Sequence, residues 1–184
     1  MVLTVLFYSF IGFAVVQIIY YILYATLLFK GKERKFSEDF PPASLLIYTK
    51  NHLDILKENY EAFITQKYPN FEVLFINNAS SDDTADFLEE IEEKHNHVKV
   101  VNVENNEAFW GSKKWALTLG IKAASHYFLV FSDARAAPIS EFWLSNIMAE
   151  FSEEKQIIIG HTANTSKNSL VNLLVKYYAT SKSL

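Results

Sequence analysis

The chain has 184 residues, a formal net charge of −4 and no cysteine. This length suits one globular domain plus an N-terminal segment. The acidic balance argues against nucleic-acid binding, which needs a basic face. The lack of cysteine excludes disulfides, thiolate nucleophiles and cysteine metal ligands.

The first segment is a long apolar run. No charged residue occurs between Val2 and Phe29, and about 20 apolar residues are enough to cross the hydrocarbon core of a bilayer. The run predicts a transmembrane anchor over residues 1–30. A buried core helix and a cleaved signal peptide are the alternatives. The signal peptide fits less well, because no Lys or Arg precedes the run and the run is too long.

A basic segment follows the anchor. It contains four basic residues, Lys30, Lys32, Arg34 and Lys35, and one acidic residue, Glu33. The positive-inside rule then predicts a single-pass membrane protein whose soluble part lies in the cytoplasm. The plainer alternative is that these charges simply end the helix. Residues 31–43, which contain Pro41 and Pro42, are interpreted as a juxtamembrane segment and linker.

The remaining residues, 44–184, are predicted to form one domain in which strands alternate with helices. The predicted strands are Ser44–Thr49, Phe71–Ile76, Val98–Val103, Tyr127–Phe131 and Gln156–Gly160. The predicted helices are Leu53–Gln66, Asp82–Lys94, Ser112–Ala124, Ser140–Phe151 and Leu170–Tyr178. Such alternation is typical of an α/β fold with a mainly parallel sheet, flanked by helices and joined by right-handed crossovers.

Polar clusters follow three of these strands, at Thr49–His52, Asn77–Thr84 and Ser132–Arg135. Ligands in parallel sheets bind beyond the carboxyl ends of the strands, so the clusters are expected to converge at one edge. Amides and carboxylates there suit a nucleotide, and a carboxylate after the fourth strand suits a divalent cation. The alternative is that these residues serve only in turns and helix caps.

Three other site types lack their motifs. The sequence contains neither G-x-G-x-x-G after a strand nor the P-loop pattern G-x-x-x-x-G-K-[ST]. The nucleophile elbow G-x-S-x-G of α/β hydrolases is also absent. A dinucleotide dehydrogenase, a P-loop enzyme and a serine hydrolase are therefore disfavoured.

Four segments, taken in order, resemble family 2 glycosyltransferases, which are inverting enzymes with the GT-A fold. The resemblance runs from about Ala43 to Tyr178. The segments are Tyr68–Ile76, similar to the family's YPNFEV entry to a strand; Asn77–Thr84, similar to DD-x-S-x-D-x-T; Phe109–Ala124, similar to GK-x-x-AL-x-x-GI-x-x-A; and Phe131–Pro138, similar to TDAD-x-x-P.

The resemblance implies a nucleotide-diphosphate sugar as donor and a lipid-linked or polysaccharide acceptor. Asn51 and His52 fall near the base, Asn78 near the uracil or ribose, and Lys113 or Lys114 near the donor. Asp133 falls on the first carboxylate of the D-x-D motif, which implies Mg²⁺ or Mn²⁺ at the diphosphate. The implied donor-binding residues are Asn51, Asn78, Asp82, Lys113, Asp133 and Arg135.

Three positions depart from the family pattern. His52 stands where Glu is usual, Asn78 where Asp is usual, and Arg135 where the second Asp of D-x-D is usual. Arginine stays protonated and does not ligate a cation, so it argues against a metal at Asp133. The alternative hypothesis is that Arg135 binds the diphosphate directly, without a metal.

No general base is assigned from the sequence. The chain stops at Leu184, where the family continues into its acceptor-binding half. The carboxylates after Asp133 are interpreted as a solvated helix face: Glu141, Glu150, Glu153 and Glu154. Three hypotheses remain open: an active transferase, a catalytically impaired relative that binds a nucleotide sugar or a partner, and a fragment whose exposed sheet edge needs a partner chain.

Overall fold

The computed structural model describes residues 2–29, 40–104, 112–160, 169 and 171–172. The chain divides into two compact units, Met1–Lys35 and Phe36–Leu184, which are described separately. The basic segment 30–35, residues 109–111 of the third family-like segment and most of the helix predicted over Leu170–Tyr178 lie outside the described residues.

The described part of the first unit forms one helix, α1, which spans Val2–Phe29. Its stretch Val2–Thr26 is long and apolar enough to cross a membrane, and none of it is buried within the protein. A signal sequence near an N-terminus meets the same criterion of length and composition.

The second unit is built on a four-stranded sheet. Its strands are β1 (Ala43–Thr49), β2 (Phe71–Asn78), β3 (Val98–Val103) and β4 (Phe128–Asp133). Its helices are α2 (Leu53–Ile64), α3 (Thr84–Lys94), α4 (Lys113–Ala123) and α5 (Trp143–Met148). All neighbouring strands run parallel, in the order β3-β2-β1-β4. The predicted parallel α/β architecture is thus confirmed.

Both faces of the sheet are covered, so its central strands carry buried apolar side chains on both faces rather than on one face only. Successive side chains of a strand point to opposite faces. On β1, Leu45 and Ile47 join the core that contains Leu56 of α2 and Leu144 of α5. The alternate residues pack with α4 in a second core, made of Leu46, Leu74, Ile76, Val103 and Ala116.

One predicted strand is wrong. Gln156–Gly160 has no strand structure, and Ile157 and Ile159 are 84% and 88% exposed. An apolar run becomes a strand only where a neighbour completes its hydrogen bonds, and within the described residues no ladder partner faces this one. The helix predicted over Ser140–Phe151 is also shorter, at Trp143–Met148.

Two strands run further than predicted. β2 continues to Asn78 and β4 to Asp133. The polar residues that were expected after these strands therefore belong to the parallel ladder itself. Asn77 pairs with Thr49, and Asp133 pairs with Tyr48. Their positions are consequently set by the sheet and not by a loop.

Candidate functional site

The carboxyl edge of the sheet has a topological switch point between β1 and β4. The chain adds β2 and β3 on one side of β1 and then returns to add β4 on the other side. Loops diverge at such a point and leave a crevice, which is where ligands of parallel α/β proteins bind. Tyr48 and Asp133 are register partners across this boundary.

Asp133 forms ion pairs with two basic side chains, Arg135 and Lys113, at the switch point. Arg135 Nε donates to its Oδ1 atom at 2.8 Å, and Arg135 Nη2 donates to Oδ2 at 3.1 Å. Lys113 Nζ donates to the same Oδ2 at 3.1 Å. Lys113 is the first residue of α4, which packs on the sheet face that carries Tyr48. These three residues are called the ionic cluster below.

The ionic cluster carries one net positive charge. Partial burial raises the pKa of Asp133, but the hydrogen bonds from Arg135 and Lys113 outweigh it and bring the pKa to about 2. The hydrogen bond and the charge of Asp133 raise the pKa of Arg135 above its usual value. Asp133 is therefore ionised at any physiological pH, and two cations face its single negative charge.

Tyr48 joins Asn78 to the ionic cluster. Lys113 Nζ lies 4.4 Å from the centroid of the Tyr48 ring, a cation–π contact. The Tyr48 hydroxyl accepts a hydrogen bond from Asn78 Nδ2 at 3.0 Å, and the Tyr48 carbonyl accepts one from Ala134 N at 3.0 Å. Tyr48 was not identified from the sequence. Its place near the end of a predicted strand was the available signal.

Asn51 belongs to a neighbouring set of contacts that joins the loops after β1 and β2. Its backbone is left-handed, with φ of 52°, a conformation that asparagine tolerates better than most residues. Its Oδ1 atom accepts from Ser81 N at 2.7 Å, and its own N–H donates to Ser80 Oγ at 3.0 Å. The predicted site residues therefore fall into two adjoining groups.

Asp82 is anchored to the starts of two helices. Its Oδ2 atom accepts from Leu53 N at 3.4 Å, at the first residue of α2. Its Oδ1 atom accepts from Thr84 Oγ1 at 2.6 Å and from Thr84 N at 3.3 Å, at the first residue of α3. Burial raises the pKa of Asp82, but these hydrogen bonds lower it below the usual value. A carboxylate is favourable there because both helix N-termini carry partial positive charge.

The residues at the switch point do not fit a divalent cation. Both carboxylate oxygens of Asp133 already accept hydrogen bonds from cations. Within residues 2–29, 40–104 and 112–160, no three His, Asp or Glu side chains group in a way that could hold a metal ion. Hard cations take several oxygen ligands, and a net positive cluster repels them.

No general base emerges from the later carboxylates. Glu141 pairs with Lys67 at 2.7 Å, and both side chains are about half exposed. Lys67 precedes β2, so this pair lies toward the amino edge of the sheet, away from the ionic cluster. Glu150, Glu153 and Glu154 follow the end of α5 at Met148, where Glu150 is half-buried and the other two are exposed.

Comparison with known proteins gives a consistent family. The family model described as Glycosyl transferase family 2 matches residues 44–179. A relative from Methanococcus voltae is 31% identical over 109 residues, covering 56% of this chain and 32% of the relative. It is a dolichyl N-acetyl-alpha-D-glucosaminyl phosphate 3-beta-D-2,3-diacetamido-2,3-dideoxy-beta-D-glucuronosyltransferase.

Two further proteins extend the comparison. A poly-beta-1,6-N-acetyl-D-glucosamine synthase from Staphylococcus epidermidis is 29% identical over 125 residues, covering 63% of this chain and 29% of the synthase. The chain thus spans about a third of the length of these curated relatives. The structure of the mannosyltransferase PcManGT from Pyrobaculum calidifontis, in complex with GDP-Man and Mn²⁺, superposes with a TM-score of 0.62 at 22% identity. The superposition covers 72% of this chain and 39% of that one, and agrees with the GT-A fold.

Proposed function

This chain belongs to glycosyl transferase family 2, and on that premise we propose that it carries the donor-binding part of a membrane-anchored, inverting glycosyltransferase. The donor is a nucleotide-diphosphate sugar of the UDP or GDP type, and the acceptor is a lipid-linked sugar or a polysaccharide. In the reaction the acceptor hydroxyl attacks the anomeric carbon. The nucleoside diphosphate leaves from the opposite side, and the hydroxyl proton passes to a base.

The observation that carries the proposal is the ionic cluster at the switch point. A nucleoside diphosphate presents several negative oxygens, and Arg135 and Lys113 present N–H donors at the place where such folds bind ligands. Arginine matches phosphate geometry with two parallel hydrogen bonds, while lysine acts as a point charge.

The neighbouring amides suit the nucleoside. Asn78 is linked through Tyr48 to the ionic cluster, and Asn51 lies on the adjoining loops. Amide groups both donate and accept, which matches the mixed edges of a base and ribose. We assign Asn51 and Asn78 to nucleoside recognition. We place Asp82 behind them, holding the starts of α2 and α3.

The N-terminal helix suits a protein that works on membrane-linked substrates. α1 is long and apolar enough to cross a bilayer, and the Methanococcus voltae relative is named for a dolichyl phosphate substrate. The proposed arrangement is an anchor at residues 1–30, a basic juxtamembrane segment and linker at 31–43, and a transferase domain at 44–184. The positive charges after the helix favour a cytoplasmic domain.

A second candidate function is a relative that binds a nucleotide sugar or a partner without turnover. The observation that favours it is that both carboxylate oxygens of Asp133 already accept hydrogen bonds. This carboxylate is occupied by two cations, and in the described part of the chain no second carboxylate joins it. A site of this kind can hold a diphosphate while lacking the groups that complete the transfer.

One experiment separates these functions. The full chain, purified in detergent, is incubated with UDP- and GDP-sugars and with lipid-phosphate acceptors, and nucleoside diphosphate release is measured. Calorimetry with UDP and GDP reports binding alone, and the anomeric configuration of any product reports inversion. Release above the no-enzyme rate supports the transferase. Binding without release supports the second candidate. No binding of either nucleotide contradicts the transferase and the nucleotide-binding form of the second candidate.

A further inference from the structure

In the ionic cluster, two basic side chains contact the carboxylate of Asp133, where a metal-dependent D-x-D site would bind a divalent cation. Asp133 is 20% exposed and accepts from both cations, whereas Arg135 and Lys113 are 59% and 51% exposed. The carboxylate thus lies behind the cations, and the cations face the solvent. Resting on the proposed function, we propose that Arg135 and Lys113 neutralise the donor diphosphate in place of a divalent cation, and that Asp133 is the positioning residue that holds them.

The cations keep enough donors for a ligand. A guanidinium has five N–H donors and an ammonium has three. Among the described residues, Arg135 uses two side-chain donors on Asp133 and Lys113 uses one. The remaining N–H groups belong to half-exposed side chains. Two adjacent diphosphate oxygens are ligands of matching charge and spacing for such a pair.

The pair is held in place before any ligand arrives. Arg135 is fixed by two parallel hydrogen bonds to one carboxylate. Lys113 is fixed between that carboxylate and the ring of Tyr48, 4.4 Å away. Ordering two long side chains opposes binding when it occurs on association, and here it has already occurred. Asp133 therefore acts through the cations, without touching the diphosphate.

The net charge of the ionic cluster also favours binding of an anion over binding of a metal cation. Two positive side chains carry the same charge as one Mg²⁺ or Mn²⁺. With Asp133 included, the cluster keeps one net positive charge and repels a further cation. An incoming metal would need the Asp133 oxygens that Arg135 and Lys113 occupy. An incoming diphosphate needs only the outward N–H groups.

The test is the metal dependence of nucleotide affinity. The dissociation constants of UDP and GDP are measured by calorimetry on the full chain in detergent, once with EDTA and once with MnCl₂. The wild-type affinity is expected to be the same in both within about twofold. In Arg135→Asp, affinity in EDTA should fall by roughly tenfold to a hundredfold, and MnCl₂ should restore part of it.

Two further variants keep the test independent of folding. Arg135→Lys keeps the charge and loses the paired hydrogen bonds, so its binding should weaken while staying independent of metal. Lys122→Ala removes one positive charge from an exposed position in the last turn of α4 and should bind like wild type. Thermal unfolding of each variant reports its fold.

The outcomes separate the two proposals. Wild-type binding that tightens tenfold or more with MnCl₂, on the order expected for a bound cation, overturns the metal-free site and leaves the proposed function standing. Equal, metal-independent affinity in Arg135→Asp also overturns it. A wild-type chain that binds neither nucleotide in either buffer overturns the proposed function itself.

Discussion

Gly120 of α4 lies directly against Ile76 of β2. A β-carbon added at Gly120 would stand 2.2 Å from Ile76 Cδ1 and 2.9 Å from Ile76 Cγ1, inside van der Waals contact. Leu46 Cδ2 would lie at 3.3 Å. The missing side chain lets α4 approach the sheet closely. Because α4 begins at Lys113, the close packing of α4 on the sheet also brings Lys113 Nζ to 4.4 Å from the centroid of the Tyr48 ring.

Gly120→Val should destabilise the domain. Overpacking a filled core forces side chains and backbone to shift, and we expect a loss of about 3 kcal/mol in the free energy of unfolding. The measurement is urea unfolding followed by the fluorescence of the domain's tryptophans, with Lys122→Ala as the control. UDP affinity should fall as well, since a displaced α4 moves Lys113. A valine variant as stable as the control would show that α4 does not pack as described.

Glu72 ties four segments together at the amino edge of the sheet. Its side chain, 7% exposed, accepts from Ser44 Oγ at 2.6 Å, from Ser125 N at 2.5 Å and from Lys99 Nζ at 2.8 Å. Glu72→Gln removes the charge from a buried network and should cost about 2 kcal/mol of unfolding free energy. Glu90→Gln is the matched control, because Glu90 pairs with Lys94 at 3.5 Å on an exposed helix surface and should change stability by less than about 0.5 kcal/mol.

The Glu72 effect should depend on pH. Burial raises the pKa of Glu72, but its hydrogen bonds outweigh that and lower the pKa from 4.5 to about 2. A carboxylate whose pKa is lower in the folded state stabilises the fold above its unfolded pKa, and this stabilisation is lost as the pH falls toward the folded pKa. The stability difference between wild type and Glu72→Gln should therefore be constant near neutral pH and shrink between pH 4.5 and 2. A difference independent of pH over that window would contradict the assignment.

At position 51, a glycine substitution should leave the protein more stable than an alanine substitution, the reverse of the usual order. At φ of 52° glycine is free of strain and alanine is not, so Asn51→Gly should be more stable than Asn51→Ala by about 1 kcal/mol. Both variants lose the amide that accepts from Ser81 N. If that amide reads the nucleoside, UDP affinity falls equally in both. Chemical unfolding and calorimetry give the two readouts, and alanine proving the more stable would refute the left-handed loop.

The α1 helix should keep the chain in the membrane. Full-length protein is expected in the membrane fraction after carbonate washing, with residues 36–184 digested by protease added from the cytoplasmic side. Phe13→Arg places a charge near the middle of the apolar stretch. It should make the free energy of membrane insertion less favourable by about 3 kcal/mol. Recovery of a mature protein that begins after Phe29 would identify α1 as a cleaved signal sequence instead.

Sequence periodicity predicted the bounds of some elements well. Val98–Val103 was predicted with its observed bounds, and the predicted start of α2 at Leu53 is also observed. The run Gln156–Gly160 misled because three consecutive isoleucines read as a buried strand. Whether such a run pairs depends on which strand edge is available, and that is a property of the tertiary fold.

The site was predicted in outline and not in its contacts. Polar strand ends pointed to one edge, and the structure places Lys113, Asp133 and Arg135 within hydrogen-bond distance there. The sequence did not distinguish Lys113 from Lys114, because adjacent helical residues differ only by their rotation about the helix axis. Tyr48 was missed since its contacts with Lys113 and Asn78 come from strands and a helix far apart in sequence.

The central claim is that the ionic cluster binds the donor diphosphate, and its most direct test is the UDP and GDP affinity of Lys113→Ala beside Lys122→Ala. Both variants remove one positive charge from α4, so general charge effects cancel. We predict that Lys113→Ala weakens binding by roughly tenfold or more, while Lys122→Ala binds like wild type. Equal affinities in the two variants and the wild type would contradict the claim.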